Sequence, residues 1–174
     1  MANSFKKILL GEGAVYADYG EPGELLLGFV RGGSFNDNYA LRHIEIDGKK
    51  GDVKGDAVVE TVRPVLEFNA MQMESELFEK YFVGMNVADA TGIKTITRDL
   101  VIEDTDYLTN FAFVGATKEG KEVVVKVLNA LAEGQVTLTM ADKSEVEIAA
   151  MFVGNYLTIA DTTAPYEIIL DETV

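Results

Sequence analysis

The longest two-sided pattern in the chain runs from Ala57 to Met71, AVVETVRPVLEFNAM. At alternate positions, Val58, Val62, Leu66, Phe68 and Ala70 share one side with Glu60 and Pro64. Thr61, Arg63, Glu67 and Asn69 share the other with Val59, Val65 and Met71. A period of two is what a β-strand shows when one face meets a core and the other meets water. From Val58 to Met71 such a strand would reach ~45 Å at ~3.3 Å per residue, and a compact domain of this length is only about 40 Å wide. Two accounts are open. Either Pro64, which has no N–H for a ladder, splits the run into two strands, or the ribbon serves an assembly larger than one subunit.

The remaining pattern is also mostly of strand type. Residues 13–18 and 24–31 predict two strands around the turn Gly20-Glu21-Pro22-Gly23. Gly32-Gly33 is expected to break the second, and Ser34–Tyr39 to resume in extended form. Arg42–Asp47 alternates, with Ile44 and Ile46 opposite His43 and Glu45. Residues 47–56, DGKKGDVKGD, have no apolar period and predict a projecting loop. One helix is expected over about 75–83: Ser75 suits an N-cap, Glu76 and Glu79 suit the positive end of the dipole, and Gly84 supplies a stop. Its apolar stripe is Leu77, Phe78, Tyr81 and Phe82. Strands are expected again at 93–102, 110–116, 122–128, 135–140, 145–152 and 166–170, with a turn at Asn129–Gly134. The β-branched run Val123-Val124-Val125 decides for strand over helix there. The fold class is therefore mainly β, an antiparallel β-sandwich or partial barrel with one short flanking helix. All 174 residues fit a single domain with a projecting loop at about 47–56.

Composition narrows function by subtraction. A net charge of −14, with basic residues at most in pairs (Lys6–Lys7, Lys49–Lys50), argues against phosphate-neutralising DNA binding. No apolar run approaches the ~20 residues of a membrane span. Ile8–Leu10 is too short for a secretory core of about 7–15 residues, so a cytoplasmic origin is expected. The absence of cysteine removes disulfides, thiolate metal sites and cysteine nucleophiles, and the single His43 removes His-pair zinc sites.

The candidate motifs are weak. Gly115–Lys121 fits the phosphate-cradling G-x-x-x-x-G-K, but Glu122 stands where a Ser or Thr should bind Mg²⁺, and a valine run replaces the helix. A hairpin turn explains it better. Gly11-Glu12-Gly13 lacks the third glycine of a dinucleotide site. Glu103-Asp104-Thr105-Asp106 has clustered carboxylates but neither the glycine nor the closing Glu of a calcium loop. His43 has Ser34 as its nearest candidate nucleophile without a nucleophile elbow, and is expected at a surface or interface. No catalytic residue, cofactor site or metal site is predicted, and no enzyme.

The order of segments resembles the tail tube (major tail) proteins of long-tailed phages of Gram-positive hosts. The resemblance rests on Gly28–Gly33 leading to Phe35, on RHIEIDGKKGDVKG (42–55), and on the ribbon 57–71 followed directly by the helix. It extends to Ala141-Asp142-Lys143 before a strand ending at Phe152, and to Ala164-Pro165-Tyr166-Glu167-Ile168. Together these cover most of the chain. The resemblance implies a structural subunit that forms hexameric rings, their strands closing one large barrel, with rings stacked into a hollow tube for DNA ejection. It implies a place in the virion tail after assembly in the host cytoplasm. Its partners would be further copies of itself and the tape measure, tail terminator and distal tail proteins, with DNA passing unbound. Thr61, Arg63, Glu67, Asn69, Thr137, Thr139, Glu145 and Glu147 would then face the channel. The loop with Asp47, Lys49, Lys50 and Lys54 would touch the next ring. Alternatives are the tube of a phage-derived tail-like or secretion particle, and an acidic β-sandwich that binds or decorates a virion.

Overall fold

The computed structural model describes residues 9–70, 75–137 and 148–171. Eleven strands and one α-helix occur among them: β1 Leu9–Ala17, β2 Leu25–Asn36, β3 Ala40–His43, β4 Ala57–Thr61, β5 Val65–Ala70, α1 Ser75–Tyr81, β6 Met85–Ala90, β7 Ile93–Arg98, β8 Leu108–Thr117, β9 Glu122–Ala132, β10 Ile148–Val153 and β11 Tyr166–Leu170. Every pairing is antiparallel. Seven strands form the main sheet in the order β10-β5-β2-β1-β8-β9-β11. One end strand, β10, also meets the penultimate strand β9, through the pairs Phe152↔Ala132 and Val153↔Leu131. The result is a partial barrel of the expected mainly-β class.

Alternation becomes burial along these strands. Leu66, Phe68 and Ala70 of β5, Ile148, Ala150 and Phe152 of β10, and Val127 and Ala130 of β9 point into one core. Three rings stack at its centre: Phe111 lies on Phe152 with centroids 3.8 Å apart and on Phe68 at 5.3 Å, all nearly parallel. The predicted stripe of α1 faces the same core, with Leu77, Phe78, Tyr81 and Phe82 all buried. Tyr81 donates its hydroxyl to the carbonyl of Leu27 at 2.7 Å, so its polar tip is not left unpaired in an apolar setting. Gly84 then has φ +67°, and a Cβ there would stand 3.0 Å from the Asp99 carbonyl. Only glycine suits both conditions.

One open question is answered and four expectations need correction. The run 57–71 is not one ribbon: residues 62–64 separate β4, which among the described residues pairs only with β3, from β5, which lies between β2 and β10. Pro64 stands at that break, as its missing N–H predicts. Gly32-Gly33 does not end β2 but makes a bulge, the register shifting between Arg31 and Gly33. RHIEID is strand only to His43, and residues 44–47 belong to the loop. Strand β9 does not turn at Asn129; it continues to Ala132 with Asn129 at φ +46°. The Asn129 and Asn155 side-chain amides each donate to the other's backbone carbonyl at 3.1 Å, holding the kink where β9 leaves β11 for β10. Residues 93–102 are strand only to Arg98, and β6, which periodicity did not reveal, pairs with β7 across Thr91-Gly92. Both turn residues have positive φ, as a two-residue hairpin turn needs.

The dismissed motifs resolve as ordinary structure. Gly115 is inside β8, and Thr117–Lys121 closes the β8–β9 hairpin. Gly13 crosses β8 so closely that a Cβ would stand 2.4 Å from the Val114 carbonyl oxygen. Close strand packing therefore requires that glycine. Glu103 precedes a short 3-10 turn, Asp104–Asp106. Of the strand expected at 135–140, residues 135–137 are not in a strand, and the rest lies outside the described residues.

Candidate functional site

Two surfaces gather the residues singled out by sequence. The first is an arm. β3 and β4 pack chiefly on each other, and all their residues are exposed. Apolar side chains stand out along the arm, including Tyr39, Leu41, Val58 and Val59, each at least 43% exposed. Alternation in β4 thus leads to no core on either face.

Beyond the paired strands, the loop 44–56 is clasped. Asp56 is buried at its root, and its carboxylate accepts from the Lys49 ammonium, from the Val53 N–H at 2.9 Å, and lies 2.9 Å from His43 Nδ1. Lys49 Nζ also donates to the Ile44 carbonyl at 3.3 Å and stands 3.5 Å from Asp52. The bond from Lys49, then the Val53 amide, then His43 hold the Asp56 carboxyl well below the usual carboxylate range. The same Lys49–Asp56 bond raises the Lys49 ammonium above its ordinary value. Lys49 is therefore turned inward, contrary to the expectation that it projects to a neighbour. Asp47, Lys50 and Lys54 are exposed as that expectation requires. The donor atoms of His43, Asp52 and Asp56 lie within 4.8 Å of one another, and the Lys49 ammonium supplies the positive charge among them.

The second surface is a groove of about 640 Å³ on the outer face of β2, β5 and β10. Ser34, Glu67, Asn69, Glu133, Thr137 and Met151 line it. Glu67 and Asn69 project there because their neighbours Leu66, Phe68 and Ala70 point inward. Arg63 reaches its margin through an ion pair with Glu133. Of the eight residues expected to face one channel, Glu67, Asn69 and Thr137 share this groove. Thr61 does not: it is on the arm and borders a separate cleft of about 770 Å³ with Arg63 and residues 153–159. Thr139, Glu145 and Glu147 lie outside the described residues.

Two exposed apolar features had no functional role from sequence, although residues 100–102 were expected to end a strand. Leu100, Val101 and Ile102 are 95%, 68% and 53% exposed in a segment that pairs with no strand among the described residues. Leu157 and Ile159 stand out from a turn that Thr158 and Asp161 tie together by side-chain bonds at 2.8 and 2.9 Å. Both were legible as hydrophobic, but not as uncovered. No described helix is long and apolar enough to cross a membrane. In comparisons with known proteins, no family model matches the chain, and no curated protein is similar to it at a significant level.

Proposed function

We propose that this chain is a self-assembling structural subunit of a hollow tube, of the tail tube type its sequence resembles, with rings of six copies stacked for passage of DNA. The observation that carries the reading is the arm. A two-stranded ribbon with apolar residues on both faces is marginal by itself in water, and exposed apolar patches of this kind mark surfaces for partners. Its unpaired edges offer N–H and C=O groups to another chain. The outer edge of β11 adds a second such margin, with Ile168, Ile169 and Leu170 exposed. Strand β5, flanked on both sides, takes no part in joining copies. In this reading the groove of Glu67 and Asn69 lines the channel. Its carboxylates keep phosphates from sticking within a Debye length of about 8 Å at physiological salt.

Light scattering and negative-stain microscopy of the purified chain at rising concentration test the proposal. Rings or tubes are expected, and Leu41→Asp with Val59→Asp should abolish them. A chain that stays monomeric at the highest concentration, with the arm substitutions changing nothing, overturns the reading in favour of a decoration or binding module.

A further inference from the structure

Asp47-Gly48 is the one Asp-Gly step in the sequence, and no Asn-Gly step occurs. The pair forms the centre of a turn closed by the Lys49 N–H, which donates to the Ile46 carbonyl at 3.1 Å, with Gly48 at φ +82°. Both residues are exposed, and a Cβ on Gly48 would meet nothing within 4 Å. Carboxylates elsewhere are occupied: those of Asp18, Asp56, Asp89, Asp106 and Asp161 each accept a backbone N–H. Among the described residues the Asp47 carboxylate has no hydrogen bond or ion pair, and the Gly48 N–H donates to nothing.

We infer that Asp47-Gly48 is a site of spontaneous backbone isomerisation, at which aspartate is converted to isoaspartate. The Gly48 nitrogen bonds to the side-chain carboxyl carbon of Asp47 and gives its proton to water, while the carboxyl hydroxyl leaves as water. The product is a cyclic imide. Water then adds to one of its two carbonyls. Opening on the side-chain carbonyl restores aspartate; opening on the main-chain carbonyl leaves Gly48 joined through the Asp47 side chain. Glycine lets the nitrogen approach, because no side chain stands beside it. The turn must open for the ring to close, and a single backbone bond at an exposed loop tip opens at little cost. Isoaspartate adds a carbon to the main chain between Ile46 and Lys49. That lengthens the short path that seats the Lys49 ammonium on Asp56 and should loosen the loop. The chemistry needs no second copy, so it stands or falls apart from the proposed assembly.

The full chain, incubated folded and dilute and then digested with trypsin, tests this through the peptide His43–Lys49, released by cuts after Arg42 and Lys49. A second form of this peptide, equal in mass, should accumulate after a form lighter by one water. It should accept a methyl group from S-adenosylmethionine through an isoaspartyl methyltransferase. Asp47→Glu keeps the charge and should remove the product, because the larger ring closes far more slowly. Asp47→Asn should speed it several-fold, with ammonia leaving in place of water. By amide exchange, the aged chain should lose protection at Val53, whose N–H bonds Asp56, with the main sheet unchanged. A His43–Lys49 peptide that stays unaltered in the folded chain, over a time in which the same synthetic peptide isomerises, overturns the inference: the turn then keeps the nitrogen out of reach. Isoaspartate spread evenly over the other aspartates overturns it too, and isomerisation without the loss at Val53 refutes the link to the clasp.

Discussion

The two halves of the run 57–71 carry the same alternating pattern and meet opposite fates. In β5, Val65, Leu66, Phe68 and Ala70 are all buried, with β2 on one edge and β10 on the other. In β4, every residue from Ala57 to Thr61 is exposed, and the strand has one partner among the described residues. The pattern specifies which side chains share a face; it does not say whether anything covers that face. The cover over β5 comes from distant parts of the chain, α1 and the stacked rings of Phe111 and Phe152. Among the described residues, no comparable element lies over β4.

That contrast can be broken from either side. Phe68→Ala should cost about 3–5 kcal/mol in chemical denaturation, since it opens a cavity at the centre of the ring stack. A cost under ~1 kcal/mol would mean that β5 is not the anchor it appears. Tyr81→Phe should cost about 1–3 kcal/mol by leaving the Leu27 carbonyl unpaired in the core. On the arm, Val59→Ser should change monomer stability by less than ~0.5 kcal/mol, as at other exposed positions, yet reduce assembly. An equal loss of stability at Val59 and Phe68 would erase the contrast.

The smallest effect is confined to the arm loop and depends on pH. Asp56 has a lowered folded-state pKa, so its contribution is present above the unfolded value of about 3.9 and is lost as pH falls through the folded value. Amide-exchange protection of residues 44–56 should hold from neutral down to about pH 4 and fall below that, with the main sheet unaffected. Lys49→Met removes the carboxylate's main partner and should move that loss to higher pH.

Local and periodic features were legible. The stripe of α1, the inward residues of β5 and β10, and the Thr117–Lys121 hairpin all follow from spacing of two or near 3.6. What escaped were features set by distant partners. β6, MNVADA, has poor strand formers and exists through its two-residue hairpin with β7 and its packing against α1. Asn129 carries a real turn signal, but Asn155 captures it as a kink within a continuous strand. In the loop, His43, Lys49, Asp52 and Asp56 are near in sequence, yet a run such as DGKKGDVKGD gives no clue that one lysine folds back while two point away. The groove joined Glu67, Asn69 and Thr137, which were expected on one surface, to Glu133, which only the path of the chain after β9 could bring there.

The junction of β9 with β10 has a mechanical consequence. Where a partial barrel draws its strands together, the described contact of β9 with β10 is short: the pairs Phe152↔Ala132 and Val153↔Leu131, extended by the Glu133 N–H bond to the Met151 carbonyl at 3.0 Å. A load that parts these two strands concentrates there, where the Phe111 and Phe152 rings lie face to face just inside. Resistance to such opening is shared between those few bonds and the aromatic grip, and thinning that grip should make the subunit gape before it melts.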